Sequence, residues 1–331
     1  MFYLFIFILL FLLEIVYFKI ADKYNIIDKP NERSSHTIIT LRGGGIIFYL
    51  GTILWWFISG FSYPWFFISI SIVSIISFID DIHSLTPKIR LSLQLISMLL
   101  MIFQLFLCEK EILGSNNLII ILGIILIALF VCTGAINVFN FMDGINGITG
   151  GYSLIVLLSL AYQYHQLQFY KLTSLIIISI LSVIIFCFFN FRNKAKCFAG
   201  DVGSVSIAFI LVFLLGILIF HTKDLSWLTL MAVYGVDGVM TIFHRIMLHE
   251  NLSQPHRKHA YQLMANELKI PHVVVSSIYM VLQSIISIIY FAYPGYLSMF
   301  ICLMVLCVLY VLFMKNYFHL HHYSDKTHYK Y

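Results

Sequence analysis

The sequence predicts an all-α integral membrane protein, a polytopic bundle of about eleven transmembrane helices with the N-terminus outside and the C-terminus cytoplasmic. Three observations predict it. Of 331 residues, 61% are hydrophobic and 11% charged, with a mean hydropathy of +0.94, whereas about 25% of a soluble domain is charged. Apolar runs of membrane-crossing length recur along the whole chain. The basic residues divide very unevenly between the two sides that those runs define.

The runs lie at about 1–18, 44–60, 64–79, 90–107, 117–136, 152–164, 172–190, 204–220, 226–243, 272–292 and 295–314. The first has neither a basic start nor a small-residue cleavage site, so it reads as a retained anchor. The sixth is the shortest. No soluble domain or internal repeat interrupts the series, so 1–331 reads as one polytopic membrane domain. With eleven crossings, seventeen of the twenty Lys and Arg fall on one side, and only Lys110, Lys171 and Lys223 on the other. The positive-inside rule makes the richer side cytoplasmic. The net charge of +5 is then a topology signal and an attraction to anionic lipid, and implies no nucleic acid. The six cysteines form no C-x-x-C pair and read as small apolar residues.

Polar clusters gather on that side, in the connections 19–43, 80–89, 137–151, 191–203 and 244–271. In the third of these, Asn137, Asn140, Asp143 and Asn146 stand among glycines, offering acceptors to a bound polar group or cation on a backbone free to turn. In the first, Arg42 precedes Gly43-Gly44-Gly45, a run whose N–H groups can receive an anion at a helix start; a plain turn reads equally well. Asp80 and Asp81 adjoin at a membrane boundary, which is costly unless a cation or a base such as Lys88 shares them. Facing a phosphate, such a pair suits Mg²⁺. Arg192, Lys194 and Lys196 precede Gly200-Asp201-Val202-Gly203-Ser204, which reads either as a helix cap or as part of a magnesium-diphosphate site. His256 and His259, three apart on an expected helix, share a face. No Cys or Glu completes a zinc set, so they read as phosphate contacts. The tail residues His319, His321, His322 and His328 read as incidental.

Asp80, Asp81, Asp143 and Asp201, set among basic and glycine-rich segments over a hydrophobic bundle, point to magnesium-dependent phosphoryl transfer. The reactants would be a soluble diphosphate compound and a lipid phosphate. The spacing identifies no sugar.

From Asp28 to about Leu263 the chain also resembles a known family, the polyprenyl-phosphate N-acetylhexosamine-1-phosphate transferases. These include the enzymes that initiate peptidoglycan lipid intermediates, teichoic acid linkage units and O-antigens. The motifs are Asp28-x-Pro30-Asn31-x-Arg33-x-x-His36 with Arg42-Gly-Gly-Gly, Asp80-Asp81, Asn137-x-x-Asn140-x-x-Asp143-Gly-x-x-Gly, Phe198-x-Gly-Asp201-x-Gly-Ser and His256-x-x-His259. The His-Arg-Lys-His-Ala-Tyr-Gln form looks most like the O-antigen- and capsule-initiating branch.

The resemblance implies undecaprenyl phosphate and a UDP-N-acetylamino sugar as substrates, and Mg²⁺ as cofactor with Mn²⁺ as an alternative. It also implies a bacterial inner membrane protein, compatible with a homodimer, whose active site faces the cytoplasm. Asp80 and Asp81 fall on the family's catalytic pair, which works with magnesium and the lipid phosphate. Asp201, with Asp81, falls on the metal position, Asp143 near uridine and metal, and His259 on a diphosphate contact. Arg42, Lys88, Asn137, Asn140, Asn146, Lys196 and His256 complete the candidate substrate-binding set. Two positions depart from the pattern. Asn146 replaces the second acid of the Asp-Gly motif, and Leu41 replaces a proline before Arg42. A secondary transporter and a prenyltransferase are the competing readings. The acids lie at one face with no inverted repeat, and Ser84 breaks an Asp-Asp-x-x-Asp pattern.

Overall fold

The computed structural model describes residues 1–30, 38–108, 118–251 and 256–327. Asn31, Arg33, His36, Lys110, His328 and Lys330 lie outside the described residues, as do the side chains of His319, His321 and His322. Each expected apolar run lies on a helix: α1 (Phe2–Lys23), α2 (Ile46–Ile58), α3 (Pro64–Ile82), α4 (Pro87–Cys108), α5 (Leu118–Met142), α6 (Ile148–Gln166), α7 (Tyr170–Asn190), α8 (Gly200–Thr222), α9 (Ala232–Met247), α10 (His272–Ala292) and α11 (Tyr296–Thr327). A 3₁₀ segment, Leu225–Met231, leads into α9. Among the described residues, nine helical segments are long and apolar enough to cross a membrane, with Leu225–Met247 taken as one. The protein is a multi-pass, all-α membrane protein. The other two helices are α2, at thirteen residues, and α6, whose nineteen residues include Ser, Gln, Tyr and His.

Lipid is as apolar as leucine, so membrane helices associate through close backbone approach and buried polar pairs. The hub here is α8, buried almost continuously from Val202 to Leu218 and packed by α2, α3, α4, α5 and α6. Phe66 of α3 stacks on its Phe213 at 3.8 Å, and Ser74 meets Ser206 with 2.7 Å between hydroxyl oxygens. Where the 3₁₀ segment gives way to α9, backbone groups need outside partners. Gln283 of α10 supplies them, accepting from Val233 N–H at 3.2 Å and donating to the Thr229 carbonyl at 3.2 Å. Tyr152 also donates to Gln283, at 2.9 Å, and its ring stacks on Tyr234 at 3.7 Å.

At the membrane end that carries the polar motifs, Ile27–Asp28 (β1) pairs antiparallel with Thr40–Leu41 (β2), and Leu41 bridges to Cys197. The first and fourth polar connections are thereby tied together. Three local expectations are corrected. α3 runs to Ile82, so Asp80 and Asp81 belong to its last turn rather than to a connection. α5 runs to Met142, which makes Asn137 and Asn140 helical. His256 and His259 do not share a helix: His259 is the extended N-cap of the turn Ala260–Gln262, in a reciprocal capping box with Gln262. Asp81, Asn140 and His259 find partners on other elements, and Asn137 finds one on its own helix.

Candidate active site

Carboxylates at a helix C-terminus oppose its dipole, and Asp81 resolves this by serving a different helix. Its Oδ1 accepts from the Asp201 N–H at 2.9 Å and its Oδ2 from the Val202 N–H at 3.0 Å, capping the start of α8. Arg42 Nε lies 2.7 Å from Oδ1, and the Asp81 side chain has no exposed surface. Only glycine fits at position 200, where φ is +71° and a Cβ would lie 2.5 Å from Asp81 Oδ2 and 2.9 Å from Gly43 Cα.

The Gly43–Gly45 run is not an open anion cradle. Gly44 N–H donates to the Phe198 carbonyl at 2.8 Å and Gly45 N–H to the Ala199 carbonyl at 3.1 Å. A Cβ on Gly203 would sit 2.6 Å from Gly45 Cα. These glycines let the starts of α2 and α8 meet backbone to backbone.

Around this joint lies the charged cluster. Asp80 accepts from the Leu85 N–H at 2.6 Å and pairs with Arg90 at 3.0 Å. Asp201 accepts from Asn140 Nδ2 at 3.0 Å, and the same amide donates to Ser204 at 3.1 Å. Both arginines flank Asp201, Arg42 at 3.8 Å and Arg90 at 3.7 Å. The Asp201 side chain is 22% exposed and that of Asp80 8%, so Asp201 is more open to a ligand than either acid of the adjacent pair. The base beside Asp80 is Arg90, not Lys88, which is exposed with no ion-pair partner among the described residues. Lys196 is likewise exposed. Asn137 donates back to the Thr133 carbonyl of its own helix at 2.9 Å.

Asp143, half-buried on the turn after α5, has its carboxyl pushed up to about 7, chiefly by burial and then by the charges of Asp201 and Asp81. Asn146 is structural in this arrangement. Its amide donates to the Arg192 carbonyl at 2.9 Å and to the Asn193 carbonyl at 3.2 Å, where a carboxylate would face two acceptors.

The histidine segment packs on the turn after α5. Tyr261 donates to the Phe141 carbonyl at 2.8 Å, and a Cβ on Gly144 would collide with its hydroxyl, which seats this segment on the Asp143 turn. His256 and His259 have ring centroids 5.0 Å apart. Burial, then His259 and Arg245, push His256 down to about 3, leaving it neutral. His259 Nδ1 lies 3.2 Å from Asp237 Oδ1. Glu14, a carboxylate within α1, is buried beside Gly44 and Cys197. Asp237 is equally enclosed in α9. A carboxylate inside an apolar run was the available signal for it.

The glycosyl transferase family 4 model matches residues 63–219, which include Asp80, Asp81, Asn140, Asp143 and Asp201. The undecaprenyl-phosphate alpha-N-acetylglucosaminyl 1-phosphate transferase of Escherichia coli (strain K12) is 29% identical over 262 residues, 74% of this chain and 71% of the relative. The probable undecaprenyl-phosphate N-acetylglucosaminyl 1-phosphate transferase of Bacillus subtilis (strain 168) is 26% identical over 265 residues, 75% and 72% of the two chains. Segment 63–219 of the chain is thus similar to glycosyl transferase family 4. Arg42, Asp237 and His259 lie outside the matched segment, and Arg42 pairs with Asp81 within it.

Proposed function

We propose that the enzyme transfers the 1-phosphate of an N-acetylhexosamine, or of a related N-acetylamino sugar, from a UDP-sugar to undecaprenyl phosphate. UMP is released, and the sugar-diphospho-undecaprenol starts an O-antigen, capsule or other envelope glycan. The site faces the cytoplasm from a bacterial inner membrane, as the lysine and arginine bias supports. One observation carries the reading: Asp80 and Asp201 converge with Arg42 and Arg90 at one end of the helical bundle. The names of the relatives support the acceptor lipid, and they put N-acetylglucosamine first among the sugars to test.

The donor set fits Mg²⁺. Asp80, Asp81, Asp143 and Asp201 outnumber the two guanidinium groups that accompany them. Among the described residues no three His, Cys, Asp or Glu converge on one point. Mg²⁺ takes one or two carboxylates and fills its other positions with water and substrate phosphates. Asp201 and Asp80 would hold it, while the enclosed Asp81 braces Asp201 from behind. When bound, Mg²⁺ would neutralise charge on the diphosphate as the bond to UMP breaks.

Arg42 and Arg90 are placed to hold phosphate oxygens in line for attack on the β-phosphorus. The second phosphate pKa is near ~6, so the lipid phosphate is already a competent nucleophile at neutral pH. Asp80 then positions it and need not act as a strong base. Asp143 faces the nucleotide, and His259 the diphosphate.

Membranes carrying the full chain, given undecaprenyl phosphate and a panel of labelled UDP-N-acetylamino sugars, test this reading. Chloroform-extractable label that requires Mg²⁺, with the mass of a sugar-diphospho-lipid, is the expected result. Label that stays water-soluble throughout overturns it, and unchanged UDP-sugar trapped inside vesicles indicates transport.

A further inference from the structure

Asp237 lies inside α9, on the bundle side of the histidine segment, and the proposed reaction gives it no role. It is 3% exposed and four groups surround its carboxylate. Ala260 N–H donates to Oδ1 at 3.2 Å, Thr241 donates to Oδ1 at 3.1 Å, and Tyr279 donates to Oδ2. His259 Nδ1 is the fourth, at 3.2 Å. The Tyr310 and Thr241 hydroxyl oxygens are 3.0 Å apart, which ties α11 into the network. On its other side the carboxylate borders an apolar cavity lined by Val236, Leu282, Leu306 and Phe313. In so dry a setting a satisfied polar network is stiff.

The backbone N–H of Ala260 can only donate, so Oδ1 is an acceptor, and Nδ1 of His259 must carry the proton between them. The tautomer and the ring orientation follow. The free nitrogen is Nε2, which is buried with no hydrogen-bond partner among the described residues. A buried polar atom left unpaired is costly, and a ligand atom arriving there would satisfy it.

We propose that Asp237 is a positioning residue, which fixes the ring of His259 with Nδ1–H turned into the bundle and Nε2 turned toward the sugar-nucleotide diphosphate. The proposal rests on the functional reading above, in which His259 contacts that diphosphate. The groups facing His259 are Asp237 on α9, Tyr279 on α10, Tyr310 on α11 through Thr241, and His256 and Tyr261 from its own segment. Arg245, Glu250 and Lys258 stand beyond His256.

The test measures kcat and KM for the full-length protein in proteoliposomes. The variants are Asp237→Asn, Tyr279→Phe, His259→Asn and the double variant Asp237→Asn/His259→Asn. Loss of a carboxylate that orients a functional histidine costs ~10–100-fold, and that loss in kcat/KM is expected for Asp237→Asn. Tyr279→Phe removes one of the donors that hold the carboxylate and should lower kcat/KM by a smaller factor. The double variant should lie within ~2-fold of His259→Asn, because the two residues act as a unit.

Penalties that multiply in the double variant overturn the proposal. If Asp237→Asn does not fold, a wild-type kcat/KM in Tyr279→Phe overturns it. Those results leave the functional reading standing when His259→Asn is inactive. Wild-type activity in His259→Asn removes both His259's assigned contact and the proposal, and no transfer by the unmodified protein removes the functional reading and the proposal together.

Discussion

Asp81 accepts hydrogen bonds from the backbone of Asp201 and Val202, across 120 positions of sequence in the first case and 121 in the second. One acid of the Asp80-Asp81 pair is therefore a helix cap, and the other faces the cluster with Arg90.

The two acids should fail differently on substitution. Asp81→Ala leaves Arg42 and two N–H groups without their carboxylate, and breaking a buried pair costs about 3–5 kcal/mol. The expected outcome is a large fall in the thermal unfolding midpoint of the detergent-solubilised protein. Gly200→Ala should reproduce this defect, because its Cβ would push on the same carboxylate. A wild-type midpoint in both variants would show that Asp81 is not the cap.

Asp201→Asn should leave that midpoint near the wild-type value while nearly abolishing transfer. Its side chain is partly exposed and is held by one amide and two distant guanidinium groups. Asp80→Asn should raise the Mg²⁺ concentration needed for half-maximal rate. Initial rates over a Mg²⁺ titration check both expectations, and near-normal rates at limiting Mg²⁺ would reduce Asp201 to an ordinary helix residue.

The raised carboxyl of Asp143 makes a pH prediction. A folded-state value of about 7 lies above the ordinary carboxylate range, so the folded protein binds this proton more tightly than the unfolded chain does. Its contribution to stability is complete below about pH 4 and is lost as the pH rises through 7. Asp143→Asn should flatten the fall in unfolding midpoint between pH 4 and 7, measured without divalent cations. An unchanged slope would place the carboxyl in water.

The membrane helices were legible in the sequence because each is a local apolar run, and every expected run lies on a helix. The polar residues of the candidate site were legible by type but not by partner. Composition does not say which helix ends meet, so Lys88 stood in for Arg90 as the base beside Asp80, and Asn146 read as a substrate contact although its amide is taken by two carbonyls. The same difference yields a prediction. Arg90→Ala should lower the transfer rate ~10-fold or more, as loss of a charge-assisted hydrogen bond implies, whereas Lys88→Ala should stay within ~2-fold. Equal losses in the extraction assay would count against this assignment.

The glycine run Gly43–Gly45 is where sequence and structure part furthest, and it supports a final test. If these glycines served an anion, Gly45→Ala would weaken substrate binding and leave the fold intact. The structure instead gives the Gly45 N–H to the Ala199 carbonyl and presses Gly45 against Gly203 of α8, leaving no space for a Cβ on either residue. A methyl group there must separate α2 from α8, and with them Arg42 from Asp81. Overpacking a tight contact costs about 1–3 kcal/mol, so Gly45→Ala and Gly203→Ala should each lower the unfolding midpoint. Gly134→Ala is the control. A Cβ at that position on α5 meets nothing within 4 Å, and alanine in place of helical glycine gains up to about 1 kcal/mol. A normal midpoint for Gly45→Ala together with a raised KM for the UDP-sugar would restore the anion cradle. A lowered midpoint, with the KM of the surviving folded enzyme little changed, would establish the glycines as the joint on which the carboxylate cluster is assembled.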